Sequence, residues 1–150
     1  IMKIGAFCNR DVIIMNGDES VRTAAELMRR HHVGDVVLVE ENKGQRIPIG
    51  IVTDRDLVVE VMAVGLETTV LTVQDLVTRT LLVAQENDSV FDCLELMKTK
   101  GVRRLPVVDA GKSLIGIITM DDITVLLAGM LYNVVNVVDR QQKNELKQRP

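Results

Sequence analysis

The sequence predicts an α+β fold in which two copies of one β-α-β-β-α unit pack about a pseudo-two-fold axis. One observation behind this prediction is a repeated segment: residues 50–57 return 66 positions later as residues 116–123, with the pattern Gly-Ile-x-Thr-x-x-Asp retained. The other is the segment 19–28, whose pattern of acidic and apolar residues returns 69 positions later at 88–97. A unit of this size cannot bury its own sheet, so the two copies are expected to share a core.

Each unit begins with a short strand and an amphipathic helix. Apolar strands are expected at residues 12–15 and 81–84. In the helix that follows, apolar residues recur at the spacing of one buried face. These residues are Val21, Ala24, Ala25, Leu27 and Met28 in the first copy and Val90, Cys93, Leu94, Leu96 and Met97 in the second. Asp18 and either Asn87 or Asp88 stand where the helix N-caps are expected.

Two more strands and a strand-to-helix corner complete the unit. The strands are expected at residues 36–39 and 49–52 in the first copy and at 105–108 and 114–118 in the second. Their apolar character is continuous, which is typical of strands that are buried on both faces. Each last strand runs into a threonine, Thr53 or Thr119, and acidic residues follow it. Threonine is a good N-cap, and carboxylates in the first turn favour a helix.

The first copy is three residues longer than the second between its last two strands. Residues 41–46 are all polar or glycine, and the corresponding segment 110–113 is shorter. Such composition predicts a polar turn that is longer in the first copy.

The last helix is expected to exceed its counterpart, which ends near Gly65. Its apolar residues continue through Leu126, Met130, Val134 and Val138, and the chain then turns polar from 139 to 150. This apolar length exceeds what one small module needs, so part of it is expected to cover a partner subunit in a homodimer. Because Thr124, Asn133 and Asn136 interrupt the segment 123–138, which is shorter than the ~20 residues of a membrane span, no membrane partner is expected.

Composition narrows the function further. The net charge of −3 and the aromatic content of 2% argue against a nucleic-acid partner. Cys8 and Cys93 show neither metal-ligand spacing nor a disulfide pattern, which favours a reducing compartment, the cytoplasm. Adjacent residues such as His31 and His32 do not share a helix face, so no metal site is expected. No acid, base and nucleophile converge in the sequence, so no catalytic residue is expected either.

The duplicated corner, together with residues 102–109 (Val-Arg-Arg-Leu-Pro-Val-Val-Asp), resembles the CBS domain, and two such units in tandem resemble a Bateman module. The resemblance divides the chain into a first CBS repeat at 1–68, a second at 69–132 and a C-terminal helical extension at 133–150. It implies a regulatory protein that is not an enzyme and requires no cofactor. Its ligand would be an adenine nucleotide, AMP first, with ADP, ATP, S-adenosylmethionine or NAD as alternatives. The regulated partner is not identified.

The residues of the corner suit such a ligand. A carboxylate can accept hydrogen bonds from both hydroxyls of a ribose, a role for Asp122 and Asp56, and Thr119 and Thr53 place a hydroxyl beside them. The adenine ring is expected in an apolar slot edged by Leu105, Pro106 and Ile118. Since acidic residues occupy the helix N-terminus, the phosphate is expected to point toward Arg103 and Arg104.

The two predicted sites are not equivalent. Arg103 and Arg104 correspond to Gly34 and Asp35 of the first copy, and Thr80 corresponds to Asp11. The cleft around Asp122 is therefore expected to bind a phosphorylated nucleoside, and the cleft around Asp56 to bind weakly, to take an uncharged adenosine portion, or to stay empty.

Simpler interpretations remain open at this point. In the simpler interpretation of the corners, each threonine serves only as an N-cap and each aspartate only complements the helix dipole. The simpler interpretation of Arg103 and Arg104 is a solvated pair. At the level of the whole protein, the alternatives are a ligand-free interaction scaffold and the regulatory segment of a larger enzyme or transporter.

Overall fold

The computed structural model describes residues 2–149, which form two units. The first unit extends to Ile118 and contains two three-stranded sheets, and the second begins at Thr119. The first repeat consists of β1 (Ile14–Met15), α1 (Val21–His31), β2 (Asp35–Asn42), β3 (Gln45–Thr53) and α2 (Asp54–Asp56), which continues as a π-helical turn (Leu57–Met62). The second consists of β4 (Ala84–Gln85), α3 (Val90–Lys100), β5 (Arg104–Val108), β6 (Leu114–Thr119) and α4 (Met120–Gln148), preceded by a 3-10 turn (Val73–Leu76).

The predicted order β-α-β-β-α is confirmed in both repeats, and so is the mixed α+β class. The strand order is β1-β2-β3 in one sheet and β4-β5-β6 in the other. In each sheet the first strand runs parallel to the second, a pairing that needs a crossover connection, which α1 and α3 supply. Val37 and Val39 of β2 lie in one buried cluster with Ile117 of β6, so the two sheets share a core.

The N-caps of α1 and α3 differ from the prediction. Ser20 caps α1 by accepting a hydrogen bond from the backbone of Thr23 at 3.1 Å, and Ser89 caps α3 by accepting from Asp92 at 3.1 Å. Asp88 instead accepts from the backbone N–H of Gln85 at 2.8 Å, in the turn before the helix. The predictions of Asp18 and of Asn87 or Asp88 were therefore wrong by one or two residues.

The buried faces of α1 and α3 are narrower than predicted. Val21, Ala24 and Met28 are buried in α1, as are the equivalent Val90, Cys93 and Met97 in α3. Leu27, Leu94 and Leu96 are half-buried, and Ala25 is exposed. Ala25 lies at the margin of the apolar stripe, where its short side chain does not reach the core.

The predicted polar turn at 41–46 is instead the end of a long hairpin. Glu41 pairs with Arg46 and Asn42 with Gln45 across β2 and β3, so only Lys43 and Gly44 form the turn. Their φ angles of 50° and 79° are those of a type I′ turn, which matches the twist of the two strands. The three extra residues lengthen the ladder because polar side chains are tolerated where a strand is exposed on both faces.

The segments that precede the two repeats are exchanged between them. Lys3 forms a β-bridge with Ser89, and Thr72, which lies 69 positions after Lys3, forms one with Ser20, the residue equivalent to Ser89. Ile4 and its equivalent Val73 are both fully buried. The segment that precedes each repeat, called its leader segment below, therefore packs on the other repeat, as a pseudo-two-fold arrangement requires.

The second unit is the helix α4, which has 29 residues. Ile123 near its start is buried, whereas most of its later apolar side chains are exposed. By length and composition alone, this helix could cross a membrane, although a single helix of this kind is weak evidence for one. The expectation that the segment is too short and too interrupted to span a membrane is therefore not confirmed.

Candidate functional site

The corner of the first repeat is held by a reciprocal capping box. Thr53 ends β3, and its backbone N–H donates to Oδ2 of Asp56 at 2.8 Å. The backbone N–H of Asp56 donates in return to Oγ1 of Thr53 at 3.2 Å. The box forms because threonine at the N-cap and a carboxylate three residues later satisfy each other's backbone donors. The predicted N-cap role of Thr53 is confirmed.

The corner of the second repeat, which lies in the second unit, has the same box with one more bond. Both the backbone N–H and the hydroxyl of Thr119 donate to Oδ2 of Asp122, at 3.0 and 2.8 Å. The backbone N–H of Asp122 donates to Thr119 Oγ1 at 3.1 Å. The N-cap role of Thr119 is likewise confirmed. The box uses Oδ2 of Asp122 and leaves Oδ1 outside it, so one carboxylate oxygen is held in a fixed orientation.

Three residues predicted to edge an adenine slot belong to the core of the first unit. Leu105 and Ile118 are 0% and 1% exposed, and Pro106 is also buried. In this conformation their side chains pack inward. A ligand at these strands would therefore meet their backbone groups rather than these side chains.

The residues predicted to lie near the phosphate differ in their surroundings. Arg103 and Thr80 are exposed. Arg104 is half-buried, and its Nη1 forms an ion pair with Oδ2 of Asp35. Because these two residues occupy equivalent positions at the starts of β5 and β2, the ion pair joins the two repeats. A phosphate that binds Arg104, the role predicted for this residue, would have to compete with Asp35.

Asp54 adds a second carboxylate beside this ion pair. A Cβ atom on Gly34 would lie 3.2 Å from Oδ2 of Asp54 and 3.6 Å from Nη1 of Arg104, so both groups lie against this glycine. The backbone N–H of Asp54 also donates to the carbonyl of Gly34 at 3.0 Å. Sequence reasoning did not select Asp35 or Asp54 as site residues. The opposite charges at equivalent positions 35 and 104 were the available signal.

Metal ligation has no support among residues 2–149, where no group of three or more His, Cys, Asp and Glu side chains is placed to hold a metal ion. Cys93 is buried in α3, and this burial, with the charges of Asp88 and Asp92, raises the pKa of its thiol to about 11. A thiol with so high a pKa is a poor nucleophile at neutral pH.

A family model for the CBS domain matches the chain twice, over residues 4–63 and 73–129. The chain belongs to the CBS-domain family. The predicted resemblance to a CBS-domain pair is thereby confirmed. The two matched segments contain the corners at Thr53–Asp56 and Thr119–Asp122, so both capping boxes belong to the family's repeated unit.

This CBS-domain pair has relatives of similar sequence. The uncharacterized protein MK0525 of Methanopyrus kandleri is 38% identical over 122 residues, a match that covers 81% of this chain and 61% of that protein. The chain thus spans about three fifths of the length of this relative.

Two solved CBS structures with bound ligands share the fold. The CBS domain pair of protein MJ0100, in complex with 5′-methylthioadenosine and S-adenosyl-L-methionine, superposes with a TM-score of 0.73 at 24% identity, covering 87% of this chain and 98% of that one. The CBS domain protein PAE2072 of Pyrobaculum aerophilum, complexed with AMP, has a TM-score of 0.73 at 19% identity and covers 81% and 89%. At these identities the likeness shows the fold alone.

Proposed function

We propose that this CBS-domain pair is a regulatory module that binds an adenosine-containing ligand, AMP first, and transmits its occupancy to a partner protein. The observation that carries the proposal is the Thr–Asp corner, which occurs twice with the same capping box. The ligands named for MJ0100 and PAE2072 all contain adenosine, which shows that the CBS fold can hold this group. ADP, ATP and S-adenosylmethionine remain alternatives to AMP.

Asp122 is the proposed ribose-binding residue. Its carboxylate Oδ2 accepts two hydrogen bonds from Thr119, and its backbone N–H donates a third to Thr119 Oγ1, so the side chain loses little entropy when a ligand binds. Oδ1 lies outside this box and can accept from a ribose hydroxyl. The structural role of the aspartate as a capping residue is thus compatible with a binding role.

The phosphate of the ligand is proposed to bind Arg103 and Arg104. Asp35 and Asp54 stand at the first repeat's corner, where the second repeat supplies basic Arg104 and apolar Met120 at the equivalent positions. Extra negative charge disfavours an anionic ligand. The site at Asp56 is therefore proposed to be the weaker one, or to take only an uncharged adenosine portion. Leu105, Pro106 and Ile118 would contact the base through their backbone groups, since their side chains are buried, and Thr80 would add a hydroxyl.

The proposal includes the domain division, the oligomeric state and the cellular location of the protein. The three-part division at residues 68 and 132, a homodimer formed partly through α4, and a cytoplasmic location belong to it. The protein would bind and regulate rather than catalyse. Ligand binding would shift a conformational equilibrium only to the extent that the two states differ in affinity.

The test is a binding screen with purified protein. Adenosine, AMP, ADP, ATP, S-adenosylmethionine and NADH are titrated in a thermal-shift assay, and the hits are measured by isothermal titration calorimetry. We expect AMP to raise the melting temperature in proportion to the logarithm of its concentration above Kd. The variant Asp122→Ala should lose this shift, whereas Asp139→Ala, an acidic residue later in the same helix, should keep it.

Two outcomes would overturn the proposal. A screen in which no adenosine compound changes the melting temperature would favour a ligand-free interaction scaffold. Equal AMP affinity in the wild type and in Asp122→Ala would remove Asp122 from the site.

A further inference from the structure

The ion pair between Arg104 and Asp35 lies between two residues that occupy the same position in the two repeats. Asp35 begins β2 and Arg104 begins β5, and they are 69 positions apart, the offset of the repeat. A pseudo-two-fold axis brings such equivalent positions together. Identical charged residues there would repel each other, so the opposite charges at this pair distinguish the repeats at the point where they meet.

The ion pair is partly withdrawn from water. The side chain of Asp35 is 16% exposed and that of Arg104 is 31% exposed. Partial burial strengthens the attraction relative to a pair in water, and it raises the cost of leaving either charge without a partner. A phosphate that takes Arg104 must therefore compete with a partner that is already in place.

A carboxylate and a phosphate compete for the same donors of a guanidinium. Arginine presents a planar fork of N–H groups whose geometry matches both oxyanions. With Arg104 turned toward a phosphate, Asp35 would lose its partner while Asp54 stays beside Gly34 in the first repeat. Two carboxylates then share that corner without the cation that had paired with Asp35.

We propose that Asp35 is a specificity-determining residue of the nucleotide site, because it competes with the ligand phosphate for Arg104 and, once displaced, disfavours a second anion at the first repeat. This inference rests on the proposed function. It gives the module a coupling between its repeats: one bound phosphate per chain uses the shared cation. It also sets the balance between AMP and adenosine, since only AMP has to displace Asp35.

The experiment compares AMP and adenosine by calorimetry in the wild type and in the variant Asp35→Asn. The asparagine keeps the shape of the side chain and a hydrogen-bond acceptor but removes the charge. We expect the affinity for AMP to rise about five- to tenfold, a coupling of ordinary size between two sites, and that for adenosine to stay within about twofold. The variant Glu41→Gln is the matched control, because it removes one carboxylate from a different ion pair, with Arg46; it should change neither affinity.

A second background tests whether Asp35 acts through Arg104. In Arg104→Gln the affinity for AMP should fall while that for adenosine is retained, and adding Asp35→Asn to this variant should produce no further gain for AMP. Retained adenosine binding also shows that each variant is folded. An unchanged ratio of AMP to adenosine affinity in Asp35→Asn would overturn the inference while leaving the proposed function intact. Absence of binding by both ligands in the wild type would overturn the proposed function, and the inference with it.

Discussion

Gly116 of β6 lies so close to Cys8 that the structure has no room for a side chain between them. A Cβ atom on Gly116 would be 2.6 Å from the Sγ of Cys8 and 2.8 Å from the backbone carbonyl oxygen of Asn9. Asn9 and Ile117 exchange two backbone hydrogen bonds of 2.8 and 2.9 Å, which hold the N-terminal segment at this distance. The glycine of the second corner motif is therefore required for packing of the exchanged leader segment.

The substitution Gly116→Ala should destabilise the protein by about 1–3 kcal/mol, the usual cost of overpacking a well-filled site. The methyl group would meet a backbone oxygen, which cannot rotate away. Gly50→Ala, at the equivalent position, should cost less because the closest atom there is the Cγ2 of Val77, at 2.7 Å, on a side chain that can move. Urea denaturation measures both free energies of unfolding.

Gly129→Ala is the control for this comparison. Gly129 lies inside α4 with open space around it, so the same substitution should leave the stability unchanged or raise it by up to about 1 kcal/mol through helix propensity. Equal stability of Gly116→Ala and the wild type would show that the leader segment does not pack against β6 in solution.

The thiol of Cys93 should make the stability depend on pH above neutrality. Burial, with the charges of Asp88 and Asp92, raises its pKa in the folded protein to about 11, against 9.0 for an ordinary thiol. Between these values the unfolded chain has lost the proton and the folded chain has kept it, so the free energy of unfolding falls as the pH rises. The stabilisation is complete below pH 9.0 and is lost as the pH approaches about 11.

This effect is isolated by the variant Cys93→Ala, since alanine already occupies the equivalent position 24 in the first repeat. Between pH 8 and pH 10.5 the wild type should lose about 2 kcal/mol more than the variant, as 1.36 kcal/mol per pKa unit implies. Urea denaturation at the two pH values measures this difference. Parallel pH profiles would show that the thiol is as accessible to water in the folded protein as in the unfolded one.

The carboxylate of Asp122 should matter more for ligand binding than for folding. In Asp122→Asn an amide oxygen can still accept from the backbone N–H of Thr119, so the stability should change by less than about 1 kcal/mol. The affinity for adenosine should fall at least about tenfold, since a charged acceptor is replaced by a neutral one. Asp56→Asn should have a smaller effect on AMP affinity than Asp122→Asn. A larger effect of Asp56→Asn would reverse the proposed order of the two sites.

The order of elements and the two threonine caps were predictable because they rest on local patterns that occur twice. A Thr–x–x–Asp segment after an apolar strand specifies its own capping box. Because the segment occurs twice at the same place in the repeat, it is not a chance match. The N-caps Ser20 and Ser89 were missed although they too are duplicated, because nearby aspartates are equally good caps by residue type. Hydrogen-bond geometry, which depends on the backbone angle at each residue, decides between them.

The contacts between the repeats were not predictable from local patterns. The bridge between Lys3 and Ser89 joins residues that are 86 positions apart (89 − 3), and the ion pair between Asp35 and Arg104 joins residues that are 69 positions apart. Only the packing of the two repeats brings them together. The sequence therefore predicted only the motif residues as site residues, a prediction that remains to be tested, and it did not select Asp35, whose relevance follows from its neighbour across the repeat interface.

The exposed apolar stripe of α4 leads to a last prediction, about the oligomeric state. The stripe contains Leu127, Met130, Leu131, Val134, Val137 and Val138, all of which are exposed in the single chain. Their spacing of three and four residues places them on one side of the helix, which is typical of a helix that packs against another helix rather than one surrounded by lipid. Val134 lies near the middle of the stripe, and Val125, nine residues earlier, lies on the opposite side.

The variant Val134→Asp should therefore be monomeric at concentrations where the wild type is a dimer, because the carboxylate would have to be buried without a partner. Val125→Asp should remain a dimer, although Val125 is 73% exposed and Val134 only 60%. Size-exclusion chromatography with light scattering distinguishes the two, and sedimentation with phospholipid vesicles tests the membrane alternative. A monomeric wild type that sediments with vesicles would assign the stripe to lipid, and equal dimerisation of both variants would place the subunit interface elsewhere.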